Sequence, residues 1–274
     1  MQLKRWISSI IALPLVIYAI HNGGIVFLIF MWLICLISLR EYFRIALKGV
    51  ERKHAISTIG YFTGCAMILA AYVNAWDVML LMPAADLMLC AAVSVMAAKS
   101  GQWLIEGVNR QVQGIVYLPL LLSFLVLIRL QPNGITWIFS FLCIVFAGDI
   151  GAYYVGRSLG RHKLILPVSP GKTIEGAVGG LCANIAMGSV INWNLHRLPW
   201  GLDMAALPWG AAIIFFVVLG VTGQFGDLFV SQLKRAADVK DSGNILPGHG
   251  GLLDRIDALL FAAPAAYVFR LYVF

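Results

Sequence analysis

The sequence predicts an all-α, polytopic integral membrane protein with about nine transmembrane helices and no β-sheet. The chain has 274 residues, of which 61% are hydrophobic and only 12% are charged, and its mean hydropathy is +0.87. An average soluble domain has about 25% charged residues. The apolar residues also form unbroken runs instead of alternating with polar ones, which excludes a membrane β-barrel pattern.

Nine apolar segments are long enough, or nearly long enough, to cross a bilayer as helices, which takes about 20 residues each. They lie at residues 6–21, 25–43, 56–74, 78–98, 112–130, 135–156, 174–193, 208–231 and 256–273. The first segment has the charged start and apolar run of a signal peptide, but it lacks a small-x-small cleavage site. We therefore interpret it as a retained helix.

The distribution of positive charge predicts the orientation of these helices. If the N-terminus is cytoplasmic, most of the 20 Lys and Arg residues fall on the cytoplasmic side, and Arg129, Arg197 and Arg270 fall outside. Cytoplasmic loops of membrane proteins are enriched in Lys and Arg. The C-terminus is then outside and both long polar loops face the cytoplasm. This bias explains the net charge of +7 without a nucleic-acid partner, and we expect none.

The polar residues divide the chain into two regions. Residues 1–130 carry few polar side chains in mid-span, and we interpret them as an N-terminal transmembrane scaffold with no assigned chemistry. Residues 131–274 carry two cytoplasmic polar loops and form the predicted catalytic transmembrane region. The cysteines are single, widely spaced and inside apolar runs, which predicts buried thiols and not zinc ligands. They are Cys35, Cys65, Cys90, Cys143 and Cys182.

Asp149 lies near the cytoplasmic end of the sixth predicted helix, beside small residues. A carboxylate inside a membrane helix is costly unless it faces a polar cavity or a cation, so Asp149 is a candidate functional residue. A structural aspartate paired with Arg157 or a neighbouring lysine is the alternative.

The first polar loop follows this helix and could bind phosphates through its cations, its hydroxyls and the free N–H groups at the next helix start. Its candidate residues are Ser169, Lys172, Thr173 and Glu175. The bases Arg157, Arg161 and Lys163 are equally well explained as cytoplasmic anchors. The residues around Lys172 do not form a nucleotide-binding P-loop, because that motif requires glycine where Leu166 stands.

The second polar stretch, Gly226–Asp257, carries a dense group of acids and bases between two apolar runs. Asp227 ends the eighth predicted helix, and Asp254 and Asp257 begin the ninth on one helical face. Carboxylates at a membrane surface beside Lys and Arg favour Mg²⁺ shared with substrate phosphates. Asp227, Asp254 and Asp257 are therefore the candidate metal ligands, although Asp257 could instead pair structurally with a base.

Two further residues in this stretch have open roles. His249, between Gly248 and Gly250, could contact a phosphate or move a proton. Its glycine-rich surroundings could equally form a turn that lets backbone approach a ligand. Asp238 is interpreted as a solvated partner of Lys234 or Arg235.

Three segments together resemble a known enzyme family. Ser231–Asp257 has the pattern S-x-L-K-R-x4-K-D-S-G-x2-L-P-G-H-G-G-x-L-D-R-x-D, which closely resembles the signature of the phosphatidate cytidylyltransferases, the CDP-diacylglycerol synthases. The phrases G-D-x-G-A-Y at 148–153 and S-P-G-K-T-x-E-G at 169–176 are similar to the other shared segments of that family, in the same order.

This resemblance implies transfer of a cytidylyl group from CTP to phosphatidic acid, with release of pyrophosphate. It also implies dependence on Mg²⁺, a location in the cell inner membrane with the active site facing the cytoplasm, and a homodimer with nine helices per subunit. Asp227 and Asp254 would be metal ligands at a paired cation site, with K⁺ a candidate for the second cation.

The resemblance and the residue chemistry together give a full set of expected site residues. The expected catalytic residues are Asp227, Asp254, Lys234, Asp241 and His249. The expected substrate-binding residues are Ser169, Lys172, Thr173, Glu175, Ser231, Arg235, Lys240, Arg255 and Asp149.

Two other functions remain as alternatives. A CTP-dependent polyprenol or lipid-alcohol kinase would transfer the γ-phosphate instead of the cytidylyl group. A membrane transporter would explain many helices and Asp149, but it predicts polar residues along a path through the first five helices, and these are few.

Overall fold

The structure is a computed structural model, and it describes residues 2–50, 53–96, 102–197, 206–243, 245 and 250–273. These residues are mostly helical. The helices are α1 (Gln2–Asn22), α2 (Gly24–Ala46), α3 (Lys53–Tyr72), α4 (Trp76–Met96), α5 (Gln102–Ile115), α6 (Leu121–Leu130), α7 (Gly134–Leu159), α8 (Ile174–Asn194), α9 (Trp209–Ala236) and α10 (Leu253–Tyr272).

Seven helical segments in the described part of the chain are long and apolar enough to cross a membrane. They are Gly24–Ala46, His54–Tyr72, Trp76–Met96, Ile105–Leu130, Gly134–Leu159, Ile174–Asn194 and Trp209–Ala236. Large apolar side chains such as Phe62 (75% exposed) and Met96 (79%) lie on their surfaces, which suits lipid and not water. The protein is therefore a polytopic membrane protein, as predicted.

Seven of the nine predicted spans correspond to candidate spans among the residues that the structure describes. Among the described residues, α10 is a helix but not a candidate span, because it carries Asp254, Arg255 and Asp257 at its start and Arg270 in its last turn. The first predicted segment lies within α1 (Gln2–Asn22), of which the described apolar part is Ala12–Asn22.

The prediction of no β-sheet is wrong by one small hairpin. Strands β1 (Lys163–Ile165) and β2 (Ser169–Thr173) pair antiparallel between α7 and α8. They lie outside the candidate spans, where water can satisfy the strand edges that lipid would leave unpaired.

The helix that contains the predicted fifth span begins earlier than predicted, at Gln102. This helix, α5, continues into α6 through a π-helical turn, Val116–Leu120. Pro119 lies in this turn, and its missing N–H explains why the regular hydrogen-bond ladder is interrupted there. The hydroxyl of Ser123 donates to the Pro119 carbonyl at 2.7 Å.

The chain divides into two compact units. The first unit combines residues 1–127 with residues 233–255. Inside it, Tyr42 of α2 is buried and its hydroxyl donates to the Arg110 carbonyl at 2.8 Å. The indole N–H of Trp32 donates to the Cys65 carbonyl at 2.9 Å, so α2 is tied by polar contacts to both α3 and α5.

The second unit combines residues 128–232 with residues 256–274. Its most extensive helix contact joins α7 to α8, and small residues make this contact close. A Cβ placed on Gly179 of α8 would lie 2.5 Å from the Cβ of Val155 on α7. The absence of a side chain on Gly179 therefore allows the two helices to approach closely, as small residues do at helix contacts in membranes.

The prediction that the cysteines are buried thiols is wrong for two of them. Cys35 and Cys90 are buried, whereas Cys143 and Cys182 are exposed. An apolar run in a membrane helix does not distinguish positions that face protein from positions that face lipid.

Replacing Gly179 with Ala should destabilise the second unit by about 1–3 kcal/mol, because the new methyl group would overlap the stiff Val155 side chain. Thermal unfolding of the protein in detergent measures the effect. Gly210→Ala is the matched control, since a Cβ at that helical position would have nothing within 4 Å. Equal melting temperatures for both variants would contradict this account of the packing.

Candidate functional site

The first group of candidate site residues lies in the first unit, and we call it the Asp254 cluster: Glu41, Lys234, Ser242, Gly251 and Asp254. Asp254 stands in the first turn of α10. Its Oδ1 accepts from Lys234 Nζ at 2.7 Å. Its Oδ2 accepts from the Ser242 N–H at 2.9 Å, the Ser242 hydroxyl at 2.9 Å and the Gly251 N–H at 3.1 Å.

The ionised form of Asp254 is favoured in this environment. The side chains of Asp254 and Lys234 are only 10% and 16% exposed. Burial by itself raises the pKa of Asp254, but hydrogen bonds from Lys234 and Ser242 and the positive charge of Lys234 outweigh it, so the pKa lies below its ordinary value. Asp254 is therefore a charged carboxylate at neutral pH.

Glu41 of α2 is the member of this cluster that the sequence prediction missed. It is 2% exposed. Its Oε1 accepts from the Leu252 N–H at 3.1 Å, and its Oε2 accepts from the Leu253 N–H at 2.9 Å and lies 3.1 Å from the Ser242 hydroxyl oxygen. The available signal was an acid inside a predicted membrane helix, which is costly without partners.

The second group lies in the second unit, and we call it the Lys172 pair: Lys172 and Asp227. Lys172 is on β2, directly before α8, and its Nζ lies 2.5 Å from Oδ2 of Asp227 on α9. The two side chains are 26% and 37% exposed, so this ion pair is more open to solvent than the Lys234–Asp254 pair.

Two predicted phosphate-binding residues next to Lys172 hold the local backbone. The Thr173 hydroxyl caps α8 by accepting from the Gly176 N–H at 3.1 Å. Glu175 accepts from the backbone N–H groups of Arg161 and His162, and from the His162 ring at 2.6 Å. These contacts tie the hairpin to the start of α8 and so set the position of Lys172.

The structure places the remaining predicted site residues with differing exposure. Asp257 is 8% exposed, and its Oδ1 accepts from the Ala258 N–H at 2.9 Å. Ser231 on α9 is 9% exposed, and Ser169 at the start of β2 is half-buried. The exposed members are Asp149, Arg235, Lys240, Asp241 and Arg255. His249 lies outside the described residues.

The carboxylates of Asp254 and of Asp227 are each suitable magnesium ligands, provided that substrate phosphates supply further ligands. Among the residues the structure describes, no group of three or more His, Cys, Asp or Glu side chains could hold a metal ion by itself. Mg²⁺ is usually bound by one or two carboxylates, with water and substrate phosphates as its other ligands. Asp227 and Asp254 are carboxylates of this kind, and each contacts a lysine ammonium with which a metal ion would share the carboxylate.

Comparisons with known proteins agree with these features. The sequence pattern of the "Cytidylyltransferase family" matches residues 3–273. The chain is 30% identical over 265 residues to a phosphatidate cytidylyltransferase of Staphylococcus epidermidis, covering 95% of each chain. It is 31% identical over 265 residues to that of Staphylococcus aureus (strain COL), again covering 95% of each.

A third relative matches a shorter region at higher identity. The phosphatidate cytidylyltransferase of Bacillus subtilis (strain 168) is 41% identical over 153 residues, which is 56% of this chain and 54% of that protein. The match to this relative therefore spans about half of its length.

The two ion pairs should differ in their contribution to stability. Asp254→Asn should lower the free energy of unfolding by roughly 2–4 kcal/mol, because it leaves the Lys234 ammonium buried without its counter-charge. Asp227→Asn should cost less than about 1 kcal/mol, because that pair is partly solvated. Thermal unfolding in detergent compares them, and equal losses for the two variants would contradict the difference in burial.

Proposed function

Because the chain belongs to the cytidylyltransferase family, we propose that it is a Mg²⁺-dependent CTP:phosphatidate cytidylyltransferase of phospholipid biosynthesis. The observation that carries the proposal is the Lys234–Asp254 pair, fixed by Ser242 and Gly251. All four residues belong to the segment Ser231–Asp257 that resembles the family signature. Two curated phosphatidate cytidylyltransferases align with 95% of this chain.

The proposed reaction needs charge neutralisation more than a protein nucleophile. A phosphate oxygen of phosphatidic acid attacks the α-phosphorus of CTP, and the bond from that phosphorus to the pyrophosphate leaving group breaks. The products are CDP-diacylglycerol and pyrophosphate. A phosphate monoester has a second pKa of about 6 and is largely ionised at neutral pH, so a general base is dispensable.

Asp227 and Asp254 are the proposed magnesium ligands, with Asp257 as a further candidate. Magnesium would neutralise charge on the phosphates and on the leaving pyrophosphate. Asp254 suits this role because it is held ionised, and three donors fix its Oδ2, which leaves Oδ1 as the oxygen that would face the ion. Asp227 suits it because its carboxylate is over one-third exposed and can accept a further ligand. A second cation, such as K⁺, is part of the same proposal.

The basic residues are proposed to bind the anionic substrates. Lys172 and Lys234 are held close to carboxylates, so their ammonium groups have defined positions from which to contact phosphate oxygens. The other proposed substrate-binding residues are Ser169, Thr173, Glu175, Ser231, Arg235, Lys240, Arg255 and Asp149. Asp241 and His249 complete the proposed catalytic set.

A multi-pass membrane protein suits a lipid substrate, because phosphatidic acid stays in the bilayer while its head group reaches the polar loops. We propose that the protein lies in the cell inner membrane with its active site and N-terminus facing the cytoplasm, where CTP is present. The concentration of Lys and Arg in the loops assigned to that side supports the orientation. A homodimer is proposed from the resemblance alone.

Asp227→Asn and Asp254→Asn should each lower the rate at least tenfold at saturating Mg²⁺, since a charged oxygen ligand is lost. Transfer of label from CTP into lipid by the purified protein measures the rate. Asp238→Asn is the matched control: Asp238 is exposed and has φ +54°, a conformation that Asn also adopts readily. A tenfold loss of rate corresponds to about 1.4 kcal/mol of activation free energy. If a variant keeps more than about a tenth of the rate, the substituted residue is not a magnesium ligand.

The orientation has a separate test. An alkaline phosphatase domain fused to the C-terminus should be active in intact cells, and a green fluorescent protein fused there should be dark, because the C-terminus is proposed to be outside. The reverse pattern would place the C-terminus in the cytoplasm and would refute the proposed orientation.

A further inference from the structure

We infer that Glu41, in the region predicted to be scaffold, is a positioning residue for Asp254. The role of Asp254 in catalysis rests on the proposed function, but the contacts that connect Glu41 to it do not. Glu41 lies on α2, far in sequence from both polar segments, and belongs to the same compact unit as residues 233–255.

The burial of Glu41 requires compensating hydrogen bonds. A carboxylate that is 2% exposed is strongly destabilised unless donors surround it. Glu41 meets this need with the N–H groups of Leu252 and Leu253, at 3.1 and 2.9 Å. These groups belong to the start of α10, where the first N–H groups have no partner inside the helix. Glu41 therefore fixes the beginning of the helix that carries Asp254.

Ser242 connects the two carboxylates. Its hydroxyl lies 3.1 Å from Glu41 Oε2 and 2.9 Å from Asp254 Oδ2, and its backbone N–H donates to the same Asp254 oxygen. The Arg44 side chain, also on α2, donates to the Ser242 carbonyl. Two side chains of α2 thus hold the residue that supplies two of the three donors to Asp254 Oδ2.

Close packing leaves this arrangement little freedom to shift. A Cβ on Gly251 would lie 2.5 Å from Glu41 Oε2, and the Gly251 N–H is the third donor to Asp254 Oδ2. If Glu41 loses its negative oxygens, the contacts of Ser242 and Gly251 with Asp254 loosen together. A metal ligand must hold its geometry to within about half an ångström, so we expect weaker use of Mg²⁺ without direct loss of a ligand.

The first test measures backbone protection and does not depend on activity. In Glu41→Gln the side-chain amide faces N–H donors, so amide hydrogen exchange in residues 241–255 should be at least tenfold faster than in the unmodified protein. Other described segments should change less than twofold. Glu106→Gln is the matched control, because Glu106 is half-exposed on α5, and it should leave residues 241–255 unchanged.

The second test measures the Mg²⁺ concentration that gives half of the maximal cytidylyltransferase rate. Glu41→Gln should raise this concentration at least fivefold, and excess Mg²⁺ should restore most of the rate. Asp254→Asn should not be restored by Mg²⁺, because a ligand itself is lost. Glu106→Gln should behave as the unmodified protein.

A smaller variant keeps the inference testable if Glu41→Gln does not fold. Ser242→Ala removes only the hydroxyl that connects Glu41 and Asp254, and it should raise the Mg²⁺ midpoint and speed exchange in residues 241–255. Ser38→Ala is its control: Ser38 is buried on α2, and its hydroxyl has no hydrogen-bond partner in the described part of the chain.

The outcomes separate this inference from the proposed function. Unchanged exchange in residues 241–255 for Glu41→Gln, or for Ser242→Ala where the first variant is not folded, overturns the role of Glu41. An unchanged Mg²⁺ midpoint in an active, folded variant overturns it as well. If the unmodified protein makes no CDP-diacylglycerol, the proposed function fails, while the exchange measurement still decides whether Glu41 fixes the Asp254 segment.

Discussion

The need to compensate buried carboxylates constrains this protein more than any other interaction. The chain has only 13 acidic residues. Glu41 and Asp257 are nevertheless less than a tenth exposed, and the side chain of Asp254 is 10% exposed. An uncompensated charge in such surroundings is highly unfavourable. Lys234 donates to Asp254, and the other donors to Asp254 and Glu41 come from one short segment, Ser242–Leu253. A helix of the N-terminal region and the segment that resembles the family signature therefore depend on the same contacts.

The two lysine–aspartate pairs reconcile membrane burial with phosphate chemistry. A pair has no net charge and is therefore less costly at a membrane surface than its separate ions. In the proposed reaction, the same pair would offer an ammonium to a substrate phosphate and a carboxylate to magnesium. Lys234–Asp254 is the more buried pair and Lys172–Asp227 the more open one, so under the proposed function Asp254 would be the more rigidly held ligand and Asp227 the more adaptable one.

The sequence could predict the helices and the two polar segments, because apolar runs of about 20 residues have few alternatives in lipid. It could not predict the hairpin, whose strands are too short to show a period. The pairing of Lys172 with Asp227 and the contacts of Glu41 join positions far apart in sequence. Local patterns contain no information on such contacts, and the partners of Glu41 are mostly backbone N–H groups, which every sequence has.

The central claim is tested most directly by labelling CTP at its α- or its γ-phosphorus and measuring which label enters the lipid. Purified protein is incubated with phosphatidic acid, Mg²⁺ and CTP labelled at either the α- or the γ-phosphorus. Cytidylyl transfer predicts that the α-label enters the lipid fraction and the γ-label appears in pyrophosphate. Entry of the γ-label into lipid, with release of CDP, would contradict the proposal and identify a CTP-dependent lipid kinase.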